Sequence, residues 1–391
     1  MTSDSIVAAT SIADTLITTR RHIHAHPELS FQEFETNAYI RARLTELGIQ
    51  HRTVAGTGVI GIIGSGERCI ALRADIDALP ITEETGLDFA STRPGVMHAC
   101  GHDTHTTMLL GAAEILKQQE TSLGGRVLLI FQPGEEKSPG GASMIIDEGV
   151  FEEYAPSMIF GQHIDPDAPA GTLSFVAGPM MAAADEIYIT IDGFGAHAAQ
   201  PHKGKDPIYC AAGLIMHLQQ LLVRQRNPLL PGVLTIASIH GGTATNIIPD
   251  RVELKGTLRA FDQSWRESAW SWLEHQVPAY AQLHGCTATL SIVKGYPPLV
   301  NNTHAVDLAR SVAVDTFGPS RVADFEPKMW AEDFSFYSHR IPACFWMLGG
   351  RPQNLDSMPG LHHPRFAPDE SAMVTGCAQL VAVAKAALHE A

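Results

Sequence analysis

The feature that most constrains the fold is a dense group of potential metal ligands between residues 97 and 105. The segment Met97-His98-Ala99-Cys100-Gly101-His102-Asp103-Thr104-His105 contains a thiol, three imidazoles and a carboxylate. More side chains of these kinds follow apolar segments much later in the chain, namely Glu135, Glu136, His163 and His362. A fold that uses them together must bring distant segments to one place, and the set indicates an assembled metal site.

The positions of these side chains relative to the predicted strands favour an α/β fold. Carboxylates and an imidazole follow three short apolar runs: Asp75 and Asp77 after Cys69–Ala74, Glu135 and Glu136 after Arg126–Phe131, and His163 after Ser157–Phe160. In open α/β sheets, sites gather beyond the carboxyl ends of the strands. We therefore expect these residues at one edge of one sheet. Asp103 or Thr104 is expected to cap the helix that follows.

The length and the changing pattern of the chain predict two domains. A chain of 391 residues is too long for one typical core. From about Asp185 the elements follow the order β-α-β-β-α-β, which is typical of a ferredoxin-like domain. We therefore predict that residues 184–298 form an inserted dimerisation or lid domain. Residues 1–183 and 299–391 would form the α/β domain that carries the metal site.

Composition excludes several classes of partner. A net charge of −15 argues against nucleic acid and anionic membrane surfaces. We see no run of about 18 apolar residues, so no membrane span is expected. The first residues, Met1–Ser5, lack the features of a signal peptide, which makes the cytoplasm the expected location. The six cysteines form no disulfide framework, and all but Cys100 are expected to be ordinary buried thiols.

The types of ligand restrict the metal and suggest the chemistry. Thiolate, imidazole and carboxylate together suit zinc, manganese, cobalt or nickel better than magnesium or calcium. Taken alone, Cys100-x-His102 is also typical of a buried thiol at a helix start, and Glu135-Glu136 of an exposed loop. In a Pro/Gly turn, however, adjacent carboxylates point in different directions. One can bind metal while the other takes a proton from water, as metal-assisted hydrolysis requires.

Two polar residues of the inserted domain are further candidates. His197 is either a site residue or an ordinary loop histidine near a helix start. Asn246 ends a Gly-rich turn that lacks the Lys-Ser/Thr ending of a phosphate loop. Its amide could donate to a substrate carbonyl or carboxylate, and the alternative is an asparagine that stabilises the turn.

Over nearly its whole length the chain resembles the M20 metallopeptidase superfamily. Within that superfamily it is similar to the amidohydrolase branch, which contains hippurate hydrolase, aminoacylase-like enzymes and auxin-conjugate hydrolases. Order and spacing of the matching motifs also agree. The motifs are Arg21–Ser30, Leu72–Pro80, Met97–His105, Phe131–Glu136, Gly161–His163, Ala196–His202, Gly241–Asp250, Ala331–Ser335 and Leu361–Phe366.

The resemblance implies a role for each candidate residue. It implies two divalent ions per chain, of manganese, zinc, cobalt or nickel, with Cys100 as the bridge between them. The implied metal ligands are Cys100, His102, Glu136, His163 and His362. Glu135 would be the general base and acid. His197 would reach into the partner subunit's site of a homodimer, or of a tetramer, and hold the substrate carbonyl oxygen.

The chain departs from the family pattern at two positions. The family usually has Arg-Gly-Gly-His where this chain has Phe194-Gly195-Ala196-His197, and a glycine in place of Ala331. Because of the first departure, the resemblance does not define the substrate contacts near His197. Neither departure removes a predicted ligand.

The resemblance implies hydrolysis of the amide bond of an N-acyl amino acid, of the N-acetyl or N-benzoyl type. An M20-type dipeptidase and an N-carbamoyl amino-acid hydrolase are alternatives that keep the fold and change the substrate. A metal-binding protein without turnover is an alternative of another class. Glu135 argues against it, because binding alone needs no base beside the ligands.

Overall fold

The computed structural model describes residues 2–390, which form two compact units. The first unit comprises Met1–Gly178, Val300–Glu326 and Asp333–Ala391, and the second comprises Pro179–Leu299 and Pro327–Glu332. The α-helices are α1 (Thr2–Ser11), α2 (Ala13–Ala25), α3 (Phe34–Glu46), α4 (His102–Gln118), α5 (Gly141–Asp147), α6 (Val150–Tyr154), α7 (Pro207–Leu218), α8 (Gln263–Leu283), α9 (Thr303–Phe317), α10 (Ser335–Ser338) and α11 (Ala372–Glu390). The strands are β1 (Gln50–Val54), β2 (Gly58–Gly64), β3 (Cys69–Asp75), β4 (Arg126–Gln132), β5 (Ile159–Pro169), β6 (Leu173–Phe175), β7 (Gly178–Met181), β8 (Ala183–Asp192), β9 (Ala196–His197), β10 (Gly232–His240), β11 (Ile247–Ile248), β12 (Arg251–Ala260), β13 (Thr287–Lys294), β14 (Leu299–Asn301), β15 (Val322–Asp324) and β16 (Ala343–Arg351).

The first unit is built on a mixed sheet with the strand order β1-β2-β4-β3-β5-β16-β6-β15. Its centre, from β4 to β16, is parallel, and the β1–β2 hairpin extends one side in the antiparallel sense. Every residue of β3 is buried, as is almost all of β4. Parallel strands covered on both faces require such continuous apolar runs. The predicted α/β class is therefore confirmed for this unit.

The order of the parallel strands creates a crevice between β3 and β5. The chain leaves β3 through α4 and returns as β4 on one side of β3. The strand that pairs with the other side of β5 is β16, which comes much later in the chain. Connections that depart in opposite directions from neighbouring parallel strands leave a crevice at their carboxyl ends, where ligands bind.

Helix α11 is a core element of the first unit, packed against α1, α4 and α9. Among the described residues it alone has the length and composition of a membrane span, and 72% of that segment is buried inside the structure. Thr375, Gln379 and Lys385 interrupt its apolar residues, so the helix contains no uninterrupted apolar run of about 18 residues. Its burial is that of a helix in a protein core.

Helix α4 begins without a side-chain cap. Its N-cap is Gly101, with a left-handed φ of 86°, and no side chain accepts a hydrogen bond there. The predicted cap at Asp103 or Thr104 is therefore wrong. Asp103 lies in the first turn, where its carboxylate accepts hydrogen bonds from Arg20 Nε at 2.9 Å and His24 Nδ1 at 2.8 Å. The buried positive partners of Asp103 thus hold α4 against α2.

The second unit contains an antiparallel sheet with the order β10-β12-β8-β13. Along the chain its main elements follow as β8-α7-β10-β12-α8-β13. The residues of β8 alternate between buried and more exposed positions, and Ile187, Ile189 and Ile191 point into the core with α7 and α8. One face of this sheet therefore carries the helices, as period-two alternation requires.

Candidate metal centre

Three segments of the first unit deliver candidate ligands to the carboxyl edge of its parallel sheet, and His362 comes from a fourth segment, between β16 and α11. Cys100 and His102 stand at the start of α4, the helix that follows β3. Glu135 and Glu136 follow β4. His163 lies inside β5, because this strand continues to Pro169. The prediction that His163 follows the strand is therefore wrong.

The candidate ligand atoms form overlapping groups. Within each group the atoms lie within 4.8 Å of one another: Cys100, His102 and His163; Cys100, Glu136 and His362; His102, Glu135 and Glu136. Cys100 Sγ is 3.4 Å from His163 Nε2, and His362 Nε2 is 3.1 Å from Glu136 Oε1. The structure thus brings all five predicted ligands and Glu135 together. Cys100 is common to the first two groups.

Two of the imidazoles are oriented with one nitrogen directed at the cluster. His102 Nδ1 donates to the backbone oxygen of Asp77 at 2.9 Å, and its buried Nε2 has no hydrogen-bond partner. His163 Nδ1 donates to the backbone oxygen of Ile164 at 2.7 Å, which leaves Nε2 facing Cys100. Such backbone hydrogen bonds fix the tautomer that metal ligation needs. The orphaned Nε2 of His102 is what a divalent ion would satisfy.

His105 lies beside these ligands but is already fully bonded. Its Nδ1 donates to Asp75 Oδ1 at 2.6 Å, and its Nε2 accepts the backbone N–H of Ile164 at 2.9 Å. The other oxygen of Asp75 accepts from Arg73 Nη1 at 2.8 Å. Asp75 and His105 therefore support the site rather than offering free ligand atoms, although they lie close to His102.

The buried charges of the cluster favour a cation. Burial, and then the carboxylates of Glu136 and Glu135, hold the pKa of the Cys100 thiol well above its usual value. Burial lowers the pKa of His163 well below its usual value, so this imidazole is neutral and able to ligate. Although burial lowers the pKa of His102, Asp75 and Asp77 raise it to about 10. A bound divalent ion would displace the protons of the Cys100 thiol and of His102 Nε2, and it would stabilise the Cys100 thiolate.

Asp77 holds the turn that carries the two adjacent carboxylates. Its Oδ1 accepts the backbone N–H of Glu135 at 3.1 Å, and its Oδ2 accepts that of Glu136 at 3.0 Å. Ser30 Oγ also donates to Asp77 Oδ2, at 2.7 Å. Because Asp77 also orients His102 through its backbone oxygen, one residue connects the ligand on α4 with the carboxylates after β4.

A buried ion network lies behind this turn. The guanidinium of Arg73 contacts Asp75 at 2.8 Å, Asp333 at 2.8 Å and Gln132 at 2.9 Å. Gln132 in turn donates to both oxygens of Asp333. The backbone N–H of Asp333 lies 3.4 Å from Glu135 Oε1. Charges this deeply buried are tolerated only when they are paired and hydrogen-bonded, as these are.

Sequence analysis placed Asp75 and Asp77 at this edge of the sheet but assigned no role to Arg73, Gln132 or Asp333. The signal for Arg73 is a charge within an otherwise apolar strand, since a buried Arg requires partners. Asp77 carries a similar signal, as a carboxylate two residues after that strand. No local pattern indicates which carboxylate meets which donor, because Asp333 is far from Arg73 in the sequence.

His197 and Asn246 lie close to each other in the second unit. Strands β9 and β11 form a two-stranded ribbon in which His197 pairs with Ile247. The backbone oxygen of Asn246 accepts the N–H of Ala198 at 3.0 Å. His197 Nδ1 accepts the N–H of Ala199 at 3.0 Å, so the ring proton is on Nε2. His197 is exposed and offers this N–H as a donor.

Comparison with known proteins shows the same family along most of the chain. The model of peptidase family M20/M25/M40 matches residues 71–386. N-acetyl-L-cysteine deacetylase of Bacillus subtilis is 43% identical over 362 residues, covering 92% of this chain and 85% of the relative. IAA-amino acid hydrolase ILR1-like 4 of Arabidopsis thaliana is 39% identical, covering 93% of this chain and 83% of the relative.

A solved structure shares the fold. The Bacillus subtilis YXEP protein, described as a dinuclear metal binding peptidase from the M20 family, superposes with a TM-score of 0.84 and 35% identity. The match covers 97% of this chain and 99% of that one. The family predicted from the sequence motifs is thus confirmed. The chain belongs to peptidase family M20/M25/M40, in its amidohydrolase branch, and is a metal-dependent hydrolase of amide bonds.

Proposed function

We propose that the protein hydrolyses the amide bond of N-acyl amino acids and releases a carboxylic acid and a free amino acid. The observation that carries this proposal is the position of Glu135, a buried carboxylate beside the candidate ligands His102 and Glu136. The substrate class is supported by the relatives named as an N-acetyl-L-cysteine deacetylase and an IAA-amino acid hydrolase.

The proposed site holds two divalent ions. One would bind to Cys100, His102 and His163, and the other to Cys100, Glu136 and His362, so that Cys100 is shared. When bound, such ions lower the pKa of water and polarise the amide carbonyl. Manganese, zinc, cobalt and nickel all suit this set of sulfur, nitrogen and oxygen donors.

The residues of the chain supply the proton transfers. Glu135 takes the proton from the attacking water and delivers it to the leaving nitrogen, acting first as base and then as acid. The turn fixed by Asp77 keeps Glu135 beside the ligands while Glu136 binds metal. His197 donates its Nε2–H to the substrate carbonyl oxygen as negative charge develops there. Asn246, next to His197, binds the polar end of the substrate.

The proposed assembly is a homodimer formed through the inserted domain predicted from the sequence, residues 184–298, which lies within the second unit. The described part of that unit exposes several large apolar side chains, as interaction surfaces do. They are Phe194, Tyr209, Met216, Val223, Leu229 and Leu283. In this dimer the partner's His197 completes each site.

The substrate is tested on metal-free protein supplied with manganese, cobalt or zinc. N-acetyl, N-benzoyl and N-carbamoyl amino acids and dipeptides are compared by amine release and by identification of the acid product. We expect metal-restored release of an amino acid and a carboxylic acid from N-acyl amino acids. Faster turnover of dipeptides or of N-carbamoyl compounds would replace the proposed substrate class while leaving amide hydrolysis intact.

Glu135→Gln tests the proposed base. The variant keeps the size of the side chain but cannot take a proton, so kcat should fall by at least about 10²-fold. The metal content, measured by elemental analysis, should equal that of the wild type. Glu136→Gln serves as the contrast, because it should lose bound metal. Retained turnover in Glu135→Gln would contradict the assignment.

His197→Ala tests the donor from the partner subunit. Loss of one such donor is expected to lower kcat by about 10²-fold, with the metal content unchanged. His275→Ala, an exposed histidine of α8, is the matched control. Mixed dimers of His197→Ala and Glu135→Gln should regain activity, because one site then holds both intact residues. Failure of the mixture to regain activity would exclude a site shared between subunits.

A further inference from the structure

The segment from Leu29 to Glu33, just before α3, contacts both the turn at Gly134–Glu136 and the residues Asp77 and Ala78 beside it, but it has no part in the proton transfers above. Ser30 donates to Asp77 at 2.7 Å. Leu29 forms a parallel bridge with Ala78, directly after Asp77. Phe31 and Glu33 both contact Gly134, the residue before Glu135. The segment therefore packs against the turn.

Glu33 is a fully buried carboxylate bonded to the turn. Its Oε1 accepts the backbone N–H of Gly134 at 2.9 Å, and its Oε2 accepts the hydroxyl of Thr57 at 2.5 Å. Burial, together with the negative charge of Asp77, raises the pKa of Glu33 to about 7. Burying an acid is unfavourable unless it is hydrogen-bonded, as Glu33 is. Its two hydrogen bonds connect the turn to the start of β2.

Phe31 holds the same residue from another side. Its backbone has a φ of 64°, a left-handed value that is unusual for a bulky side chain. Its ring lies so close to Gly134 that a Cβ on that glycine would be 2.3 Å from the ring atom Cε1. Gly134 itself has a φ of 59°. The conformation of the turn is thus fixed both by a hydrogen bond and by packing.

Three successive backbone N–H groups of the turn are each bound by a buried carboxylate. Gly134 donates to Glu33, Glu135 donates to Asp77 Oδ1, and Glu136 donates to Asp77 Oδ2. Asp77 holds the two residues that carry the carboxylates. Glu33 holds Gly134, the residue just before Glu135, and so fixes the direction in which the chain enters Glu135 and Glu136.

We infer that Glu33 is a positioning residue for amide hydrolysis, which fixes the turn at Gly134 so that Glu135 is held in place to transfer protons. This inference rests on the proposed role of Glu135. The role depends on the reach of the side chain to Gly134 rather than on its charge. Loss of this contact should therefore lower kcat more than it changes KM or metal content.

The pair Glu33→Gln and Glu33→Asp separates reach from charge. The amide oxygen of Gln still reaches the N–H of Gly134, whereas Asp keeps the charge but is one methylene shorter. We expect Glu33→Asp to lower kcat by about 10- to 100-fold, since small misplacements of catalytic groups cost this much. Glu33→Gln should retain most of the wild-type kcat. Both variants should bind as much manganese as the wild type, with KM little changed.

Glu28→Asp is the matched control for general destabilisation. Glu28 is a buried acid of the same part of the chain, but its carboxylate accepts hydrogen bonds from Glu35 and Thr36 in α3 and pairs with Arg93 instead of binding Gly134. This variant should keep the wild-type kcat even where its thermal stability falls as far as that of Glu33→Asp.

Three results would overturn the inference: a wild-type kcat in Glu33→Asp, a Glu33→Gln variant as impaired as Glu33→Asp, or an equal loss of kcat in Glu28→Asp. These results are distinguishable from failure of the proposed function. If Glu135→Gln is inactive and Glu33→Asp is normal, only the positioning role is wrong. If Glu135→Gln retains turnover, the proposed base is wrong whatever Glu33 does.

Discussion

The hydrogen bonds to the Asp77 carboxylate are the interaction on which the site depends. They bind the backbone N–H groups of Glu135 and Glu136, and the backbone oxygen of the same residue orients His102. A carboxylate that accepts several backbone hydrogen bonds is stabilised in its charged form even when it is buried. Asp77, which follows β3, therefore fixes the position of Glu135 and Glu136 relative to α4.

The balance of charge explains why this arrangement suits metal ions. Arg73 pairs with Asp75 and Asp333 and so offsets the negative charge behind the turn. Cys100 and Glu136 are directed instead towards the imidazoles of the cluster. Buried anions without a cation are costly, and a divalent ion stabilises the thiolate and carboxylate together. Because Cys100 belongs to both ligand groups, a second ion would need only Glu136 and His362 as further ligands.

The parts of the site predicted from sequence are those set by local pattern. Apolar runs located β3 and β4, and the polar residues directly after them, Glu135 among these, fell at one edge of the sheet as expected. The predictions of the end of β5 and of the start of α4 were wrong because both depend on more than the local sequence pattern. β5 continues past the apolar run to include His163, since strand pairing with β16 covers it. α4 starts at a left-handed Gly101 instead of at a side-chain cap. Contacts such as Glu33 with Gly134 were not predictable, because they join residues about a hundred positions apart.

Anomalous diffraction from crystals of the manganese-loaded protein directly tests the proposal that two metal ions share Cys100. We expect two manganese peaks per chain. One should lie beside His102 and His163, the other beside Glu136 and His362, and the sulfur of Cys100 should contact both. A single peak at full manganese loading, or two ions of which either is not in contact with Cys100, would contradict it.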